Sequence, residues 1–342
     1  MKKVASSFSK LNRSSSQRKS LGNSNINIEN IDKNLSSSKP ILSSLSSKNV
    51  DKDNSNNATW ALEEILLQPY NHLLKHPGKE IRSKLIAAFD FWLKVPKEQL
   101  VVITKIVEML HTASLLIDDV EDSSTLRRGV PAAHQIYGIP ATINCANYVY
   151  FLALNELVKL ENAKLIKIYT EELMNLHRGQ GMELYWRDHV VCPSEEEFIE
   201  MVSNKTGGLL RLAVKLMTEA SNINDKDYVN LVNDIGIHFQ VRDDYMNLQS
   251  AVVNILKQHT SSLELKEYAV KLMEGTGSFR YTEQYLAKTE KKVRDEIERL
   301  GGNPVLERIM DLLSVPLSES DGGVKKREAQ SSTVTTTAAS TK

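Results

Sequence analysis

Between residues 59 and 317, apolar side chains recur three and four positions apart, and almost no stretch alternates with a period of two. That pattern excludes a sheet-based core and predicts an all-α chain. The breaks fall at "HPGK", "KVP", "RRGVP", "YGIP", "VVCPS" and "GGNP", so the helices are expected to be joined by short loops. One helix start is fully specified: Ser194 can cap, and Glu197 three residues later can close a capping box. The stretch 59–317 has the length of one large domain, a helical bundle. Residues 1–58 are rich in Ser, Asn and Lys, and 318–342 thin out in the same way. Such segments bury too little apolar surface to offset the entropy of ordering them, so both are expected to be solvated tails. Val4, Phe8 and Leu11 stand at helical spacing, with no acid before Glu29. This is a faint presequence pattern, and a solvated arm is the preferred reading.

Lys+Arg and Asp+Glu both number 43, giving a net charge of +0. No global field selects nucleic acid or an acidic membrane, so any charge-based function must be local. Cys145 and Cys192 lack the spacing of a disulfide or zinc framework, which points to a reducing compartment. The runs "FLALNELVKL" and "LHTASLLI" fall short of the ~20 residues of a spanning helix, so no transmembrane segment is expected. The expected location is the cytoplasm, with the mitochondrion as the alternative raised by the basic start.

Two acidic motifs recur in similar surroundings. In "LLIDDVEDSSTLRRG", Asp118 and Asp122 stand four apart, which on a helix puts them on one face about 6 Å apart along the axis. Asp119 points elsewhere. Acids at a helix C-terminus face the negative end of its dipole and call for a cation nearby. Mg²⁺ held through one or two carboxylate oxygens, with its other positions left to phosphate, would meet that need. A solvated acidic turn is the alternative for this motif taken alone. It is not alone: "FQVRDDYMNLQ" sets Asp243 and Asn247 four apart at the end of a second apolar helix. Two carboxylate faces opposed across a bundle are a way to build a metal site.

Cations accompany both motifs. Arg127 and Arg128 follow the first, and "GKEIRS" places Lys79 and Arg82 on one helix face. In "SNKTGGLLRLA", Lys205 and Thr206 precede a Gly pair inside a helical pattern, where a helix can bend and its backbone can approach a ligand. Tight helix packing is an equal explanation of Gly207 and Gly208.

The stretches "PGKEIRS", "LLIDDVEDSSTLRRGVPAAHQIYGIPATINCANYVYFLAL", "LHRGQGMELYWRD", "NKTGGLLRLAVKLM", "FQVRDDYMNLQ" and "GSFRYTEQYLAKTE" together resemble the trans-isoprenyl diphosphate synthases, in family order. Geranylgeranyl diphosphate synthases of eukaryotic type are the nearest in pattern. The resemblance implies a helical bundle around a deep central cavity, normally a homodimer. The implied reaction is head-to-tail condensation of isopentenyl diphosphate with an allylic diphosphate, here farnesyl diphosphate, in the presence of three Mg²⁺ ions. By resemblance Asp118, Asp122 and Asp243 hold metal, and Glu183 in "GQGME" stands where members commonly have Asp. Lys79, Arg82, His111 and Arg128 would hold isopentenyl diphosphate. Arg127, Lys205, Thr206 and Gln240 would serve the allylic side. The growing chain would pass Ser114 and Ala113, whose small side chains leave room for a product longer than farnesyl diphosphate.

One departure stands out. After "RDDYMNLQS" members continue through a lysine-containing loop and an "E-D-L-T-E-G-K-F-S-F-P" element, whereas here "AVVNILKQ" follows directly. A segment is therefore expected to be missing near 250–251, which should bare apolar surface beside the second acid motif. Lys257 falls at the spacing of the family's lysine but in a different segment. Either the segment was lost through exon skipping or an error in deducing the protein from its gene, or the chain is a weakly active or non-catalytic subunit of a full-length synthase. The intact motifs favour the first reading. A farnesyl diphosphate synthase and a terpene cyclase compete with the geranylgeranyl assignment because they share its metal chemistry; "DDYMN" departs from the cyclase pattern.

Overall fold

The structure, a computed structural model, describes residues 62–78, 81–223, 226–257 and 275–316, with side chains to Leu248 in the third stretch. The expected tails at 1–58 and 318–342, and Lys79, lie outside the described residues. Helices follow in the order α1 (Gln68–Leu74), α2 (Ile81–Leu93), α3 (Lys97–Glu121), α4 (Ala133–Tyr137), α5 (Ile139–Val158), α6 (Ala163–His189), α7 (Glu195–Lys205), α8 (Gly207–Ala220), α9 (Val229–Lys257), α10 (Ser278–Arg299) and α11 (Pro304–Leu313). The all-α expectation holds. It misses one small element, a pair of two-residue strands, β1 (Leu126–Arg127) and β2 (Val130–Pro131).

Two helices run through the centre. In α3, Ile103, Ile106, Met109, Leu110, Ala113 and Leu116 are buried, and the helix packs on α5 and α8. In α8 burial runs almost continuously from Gly207 to Leu216, as expected of a helix enclosed on all sides. With α2, α5 and the first half of α9 they make the main core, and a smaller cluster joins Met201, Val202, Ile237, Val241, Tyr245 and Leu286. By length and composition alone α3 is apolar enough to cross a membrane, with a mean hydropathy of 1.8. The uninterrupted runs hid this because Lys105 and Glu108 break them. Its apolar stripe is spent on the core, so it packs as an inner helix of the bundle.

Helix ends are set as the sequence indicates. Ser194 Oγ accepts from the Glu197 amide (3.2 Å), and Glu197 returns to the Ser194 amide (2.7 Å). Close helix approach depends on glycine. A Cβ on Gly236 of α9 would stand 3.0 Å from the Gly207 Cα of α8. Gly207 therefore serves tight packing as well as the break between α7 and α8, whereas a Cβ on Gly208 would meet its nearest neighbour at an ordinary 3.6 Å.

Helix α9 continues without interruption through 250–251. Beside the second acid motif, Tyr245 is buried, donates to Glu283 of α10 (2.6 Å) and meets Phe279 edge-on. Helix α10 thus covers apolar surface that loss of a segment was expected to leave bare; Met246 remains exposed.

Candidate active site

Helix α3 ends at Glu121 and delivers its acids into a nest of cations. Asp118 accepts from Arg127 (3.2 Å) and from Lys205 (3.4 Å). Asp122 caps the helix and accepts from Arg187 (2.7 Å), and Glu121 accepts from Gln180 (2.6 Å). The expected cation at the negative end of the dipole is present, and the chain supplies it. Burial, and then the charge of Asp118, push the Asp122 carboxyl up to about 6.

Asp119 does point away from that face, into the core, where one of its oxygens accepts both Arg127 Nε (2.8 Å) and Nη2 (2.5 Å). Arg127 can reach it because Arg128 and Gly129, with φ of 54° and 84°, form a two-residue turn that folds β2 back on β1. Positive φ at both turn positions matches the twist of a tight hairpin. The same turn sends Arg128 the other way: its guanidinium donates to the His76 carbonyl (2.5 Å) and lies against Gly78, where a Cβ would stand 2.8 Å from it.

On that side Arg82 donates to His111 Nε2 (3.0 Å), which places the ring proton on Nδ1. Burial, then Arg82, Arg128 and Arg127, push the His111 pKa down to about 2. The ring stays neutral and orients Arg82 without adding charge. Arg82, His111 and Arg128 are thus gathered into one cationic pocket, beside the Gly78 end of the chain that leads to Lys79. Ala113 is fully buried in the core, and the half-buried Ser114 donates to the His111 carbonyl (2.8 Å).

The second acid motif meets the first at the α7–α8 break. Lys205 pairs with Asp118 and with Glu183 of α6. The next residue turns to α9: Thr206 Oγ1 donates to Gln240 (2.6 Å), whose amide donates to Asp244 (3.0 Å). Asp243 accepts from Asn247 (3.1 Å), one turn on. Burial and the neighbouring Asp243 push the Asp244 carboxyl up to about 8, with Glu183 and Lys205 also acting on it. Among the described residues no three His, Cys, Asp or Glu side chains are gathered tightly enough to hold a metal by themselves. Carboxylates that raise one another's pKa are nonetheless suited to divalent cations completed by diphosphate oxygens, since such ions need only one or two protein carboxylates each.

Sequence reasoning missed Arg187 as the partner of Asp122. Its position four residues after Glu183, on the same face of α6, was the available signal.

The raised Asp244 carboxyl has a measurable consequence. Folded, it keeps its proton to about 8, while the unfolded chain releases it near 3.8, so the folded state binds more protons between those values and stability falls as pH rises. Asp122, at about 6, acts in the same direction at lower pH, and the lowered His111 acts in the opposite direction, most strongly below its unfolded value of 6.5. In a chelating buffer, thermal unfolding should therefore shift to lower temperature between pH 7 and 8.

The polyprenyl synthetase family model matches residues 63–296, a span that contains both acid motifs, the arginine hairpin and the Lys205–Thr206 junction. The chain belongs to the polyprenyl synthetase family. Among curated relatives, a geranylgeranyl pyrophosphate synthase of Mucor circinelloides f. lusitanicus is 52% identical over 297 residues, covering 77% of this chain and 98% of that protein. One of the same name from Hypoxylon pulicicidum is 50% identical, over 75% of this chain and 77% of its own length. A protein named terpene synthase from Matsumurasca onukii is 44% identical, over 74% of this chain and 94% of its own. Prenyl diphosphate synthases of this family generally use a divalent metal.

Proposed function

We propose that the chain condenses isopentenyl diphosphate with an allylic diphosphate, farnesyl diphosphate foremost, to give geranylgeranyl diphosphate. The observation that carries this reading is the Lys205–Thr206 junction, which ties the first acid motif to the second, with Arg82 on His111 and Arg128 against Gly78 as a separate group of cations. Two diphosphates could be held apart by the end of α3. The relatives named geranylgeranyl pyrophosphate synthase support the product assignment.

Mg²⁺, three ions by family resemblance, would be held by Asp118, Asp122, Asp243 and Glu183, and would neutralise charge on the departing diphosphate. Lys205, Arg127, Thr206 and Gln240 would bind that diphosphate and orient its allylic carbon toward the second pocket. Lys79, Arg82, Arg128 and the neutral His111 would hold isopentenyl diphosphate with its double bond facing that carbon. The allylic C–O bond breaks, the double bond supplies the new C–C bond, and a proton leaves. By resemblance the lengthening chain would pass Ala113 and Ser114, whose small side chains stand on the helix that carries the first motif.

A homodimer is part of the proposal. Ile139, Ile143, Phe151 and Val158 expose an apolar face on α5, at 37–70% exposure, that a second copy could cover. The proposed location is the cytoplasm, supported by two free thiols. A lost segment near 250–251 is also proposed. The Mucor match runs over 297 positions but takes up only 77% of 342 residues, which is fewer, so part of the relative's span has no counterpart here.

Incubation of the purified chain with Mg²⁺, labelled isopentenyl diphosphate and geranyl or farnesyl diphosphate tests the reading. The expected product is a twenty-carbon diphosphate, and Ser114→Phe should shift it to fifteen carbons. Absence of label incorporation from every primer would reject it, and a hydrocarbon formed without isopentenyl diphosphate would favour a terpene synthase.

A further inference from the structure

A buried ionic network lies beside the site without touching the acid motifs. Glu172 of α6 is 1% exposed and accepts from Arg211 (3.1 Å) and Lys215 (2.5 Å), both on α8. The same arginine reaches backwards: Arg211 Nη1 donates to the Ser203 carbonyl (2.6 Å), to Ser203 Oγ (3.0 Å) and to Asn233 Oδ1 of α9 (2.8 Å). Ser203 Oγ donates in turn to Asn233 (2.6 Å). Ser203 lies in the last turn of α7, where helix carbonyls lack partners within their own helix. One guanidinium therefore ties α6, α7, α8 and α9 together at the break that carries Lys205 and Thr206.

Three glycines close the same break from other sides. A Cβ on Gly207 would stand 3.0 Å from Arg211 Nη1, one on Gly236 would meet Gly207, and one on Gly179 would stand 2.5 Å from the Lys205 amide nitrogen. The break is enclosed by packing and fastened by a charge. Burying Arg211 and Glu172 carries a desolvation cost that an apolar pair of the same shape would avoid, which makes stability alone a poor explanation of the network.

We infer that Arg211, anchored by Glu172, is a positioning residue: it fixes the α7–α8 break so that Lys205 and Thr206 present the allylic diphosphate to both acid motifs. The inference rests on the function proposed above.

Arg211→Lys keeps a charge facing Glu172 but loses the planar fork that reaches Ser203 and Asn233. Lys215→Met removes the other partner of Glu172 and leaves the break untouched. Both are made in the full chain and compared with wild type by amide hydrogen exchange across residues 201–210 and by calorimetric titration with pyrophosphate in Mg²⁺. Arg211→Lys should speed exchange in that stretch and weaken pyrophosphate binding, each by about tenfold, while Lys215→Met changes neither. The inference is overturned if Arg211→Lys matches wild type in either measurement, or if Lys215→Met has the same effect. Should wild type itself bind no pyrophosphate, the proposed function fails, and hydrogen exchange alone decides whether Arg211 fixes the break.

Discussion

Asp118→Asn and Asp243→Asn should each lower kcat/KM for prenyl transfer by about three orders of magnitude, with little change in the circular dichroism spectrum. The magnitude is that of removing a preorganised group that stabilises charge developing in the transition state. Each change replaces one oxygen with an amide of the same shape, so packing is kept while a metal-binding charge is lost. The effects should not add. If the two motifs act on one diphosphate through shared ions, the double variant should be little worse than either single one. Independent acids on separate surfaces would instead multiply their effects. Steady-state kinetics of the three variants, with saturating Mg²⁺, distinguishes these outcomes.

Gly179→Ala, a single methyl group, should have the next largest effect on activity. The new Cβ would stand 2.5 Å from the Lys205 amide nitrogen and 2.9 Å from the Met201 carbonyl oxygen, both backbone atoms that no rotamer change can move. Helices α6 and α7 must separate. Overpacking of this kind costs about 1–3 kcal/mol of stability, measurable by denaturant unfolding. A displacement of Lys205 by about an ångström should also lower kcat/KM by about a hundredfold, because it misplaces the group that spans both motifs. Gly181, two residues on, offers the control: a Cβ there meets nothing within 4 Å, so Gly181→Ala should leave the junction intact.

The sequence was informative where a residue's role depends on spacing along one helix. Asp118 and Asp122, Asp243 and Asn247, and the Ser194–Glu197 box follow from helical geometry, and the structure places each pair accordingly. Charges that meet across helices were less legible. Arg187 and Asp122 are 65 positions apart, and Arg211 looked like one more polar residue in an apolar helix until Ser203, Asn233 and Glu172 were seen to converge on it. Local backbone defeated the reading once. "RRG" suggests a loop, yet Arg128 with Gly129 makes a hairpin that separates the two arginines, one toward Asp118 and Asp119 and one toward Gly78. Arginine with positive φ is uncommon, so its side-chain chemistry gave no cue to that turn.

Crystals of the chain soaked with Mn²⁺ and pyrophosphate, measured by anomalous scattering, test the shared site most directly. Manganese should appear beside Asp118 and Asp122 and beside Asp243, with one pyrophosphate bridging them and contacting Lys205. Manganese bound at one motif alone, with pyrophosphate elsewhere, would contradict a shared site.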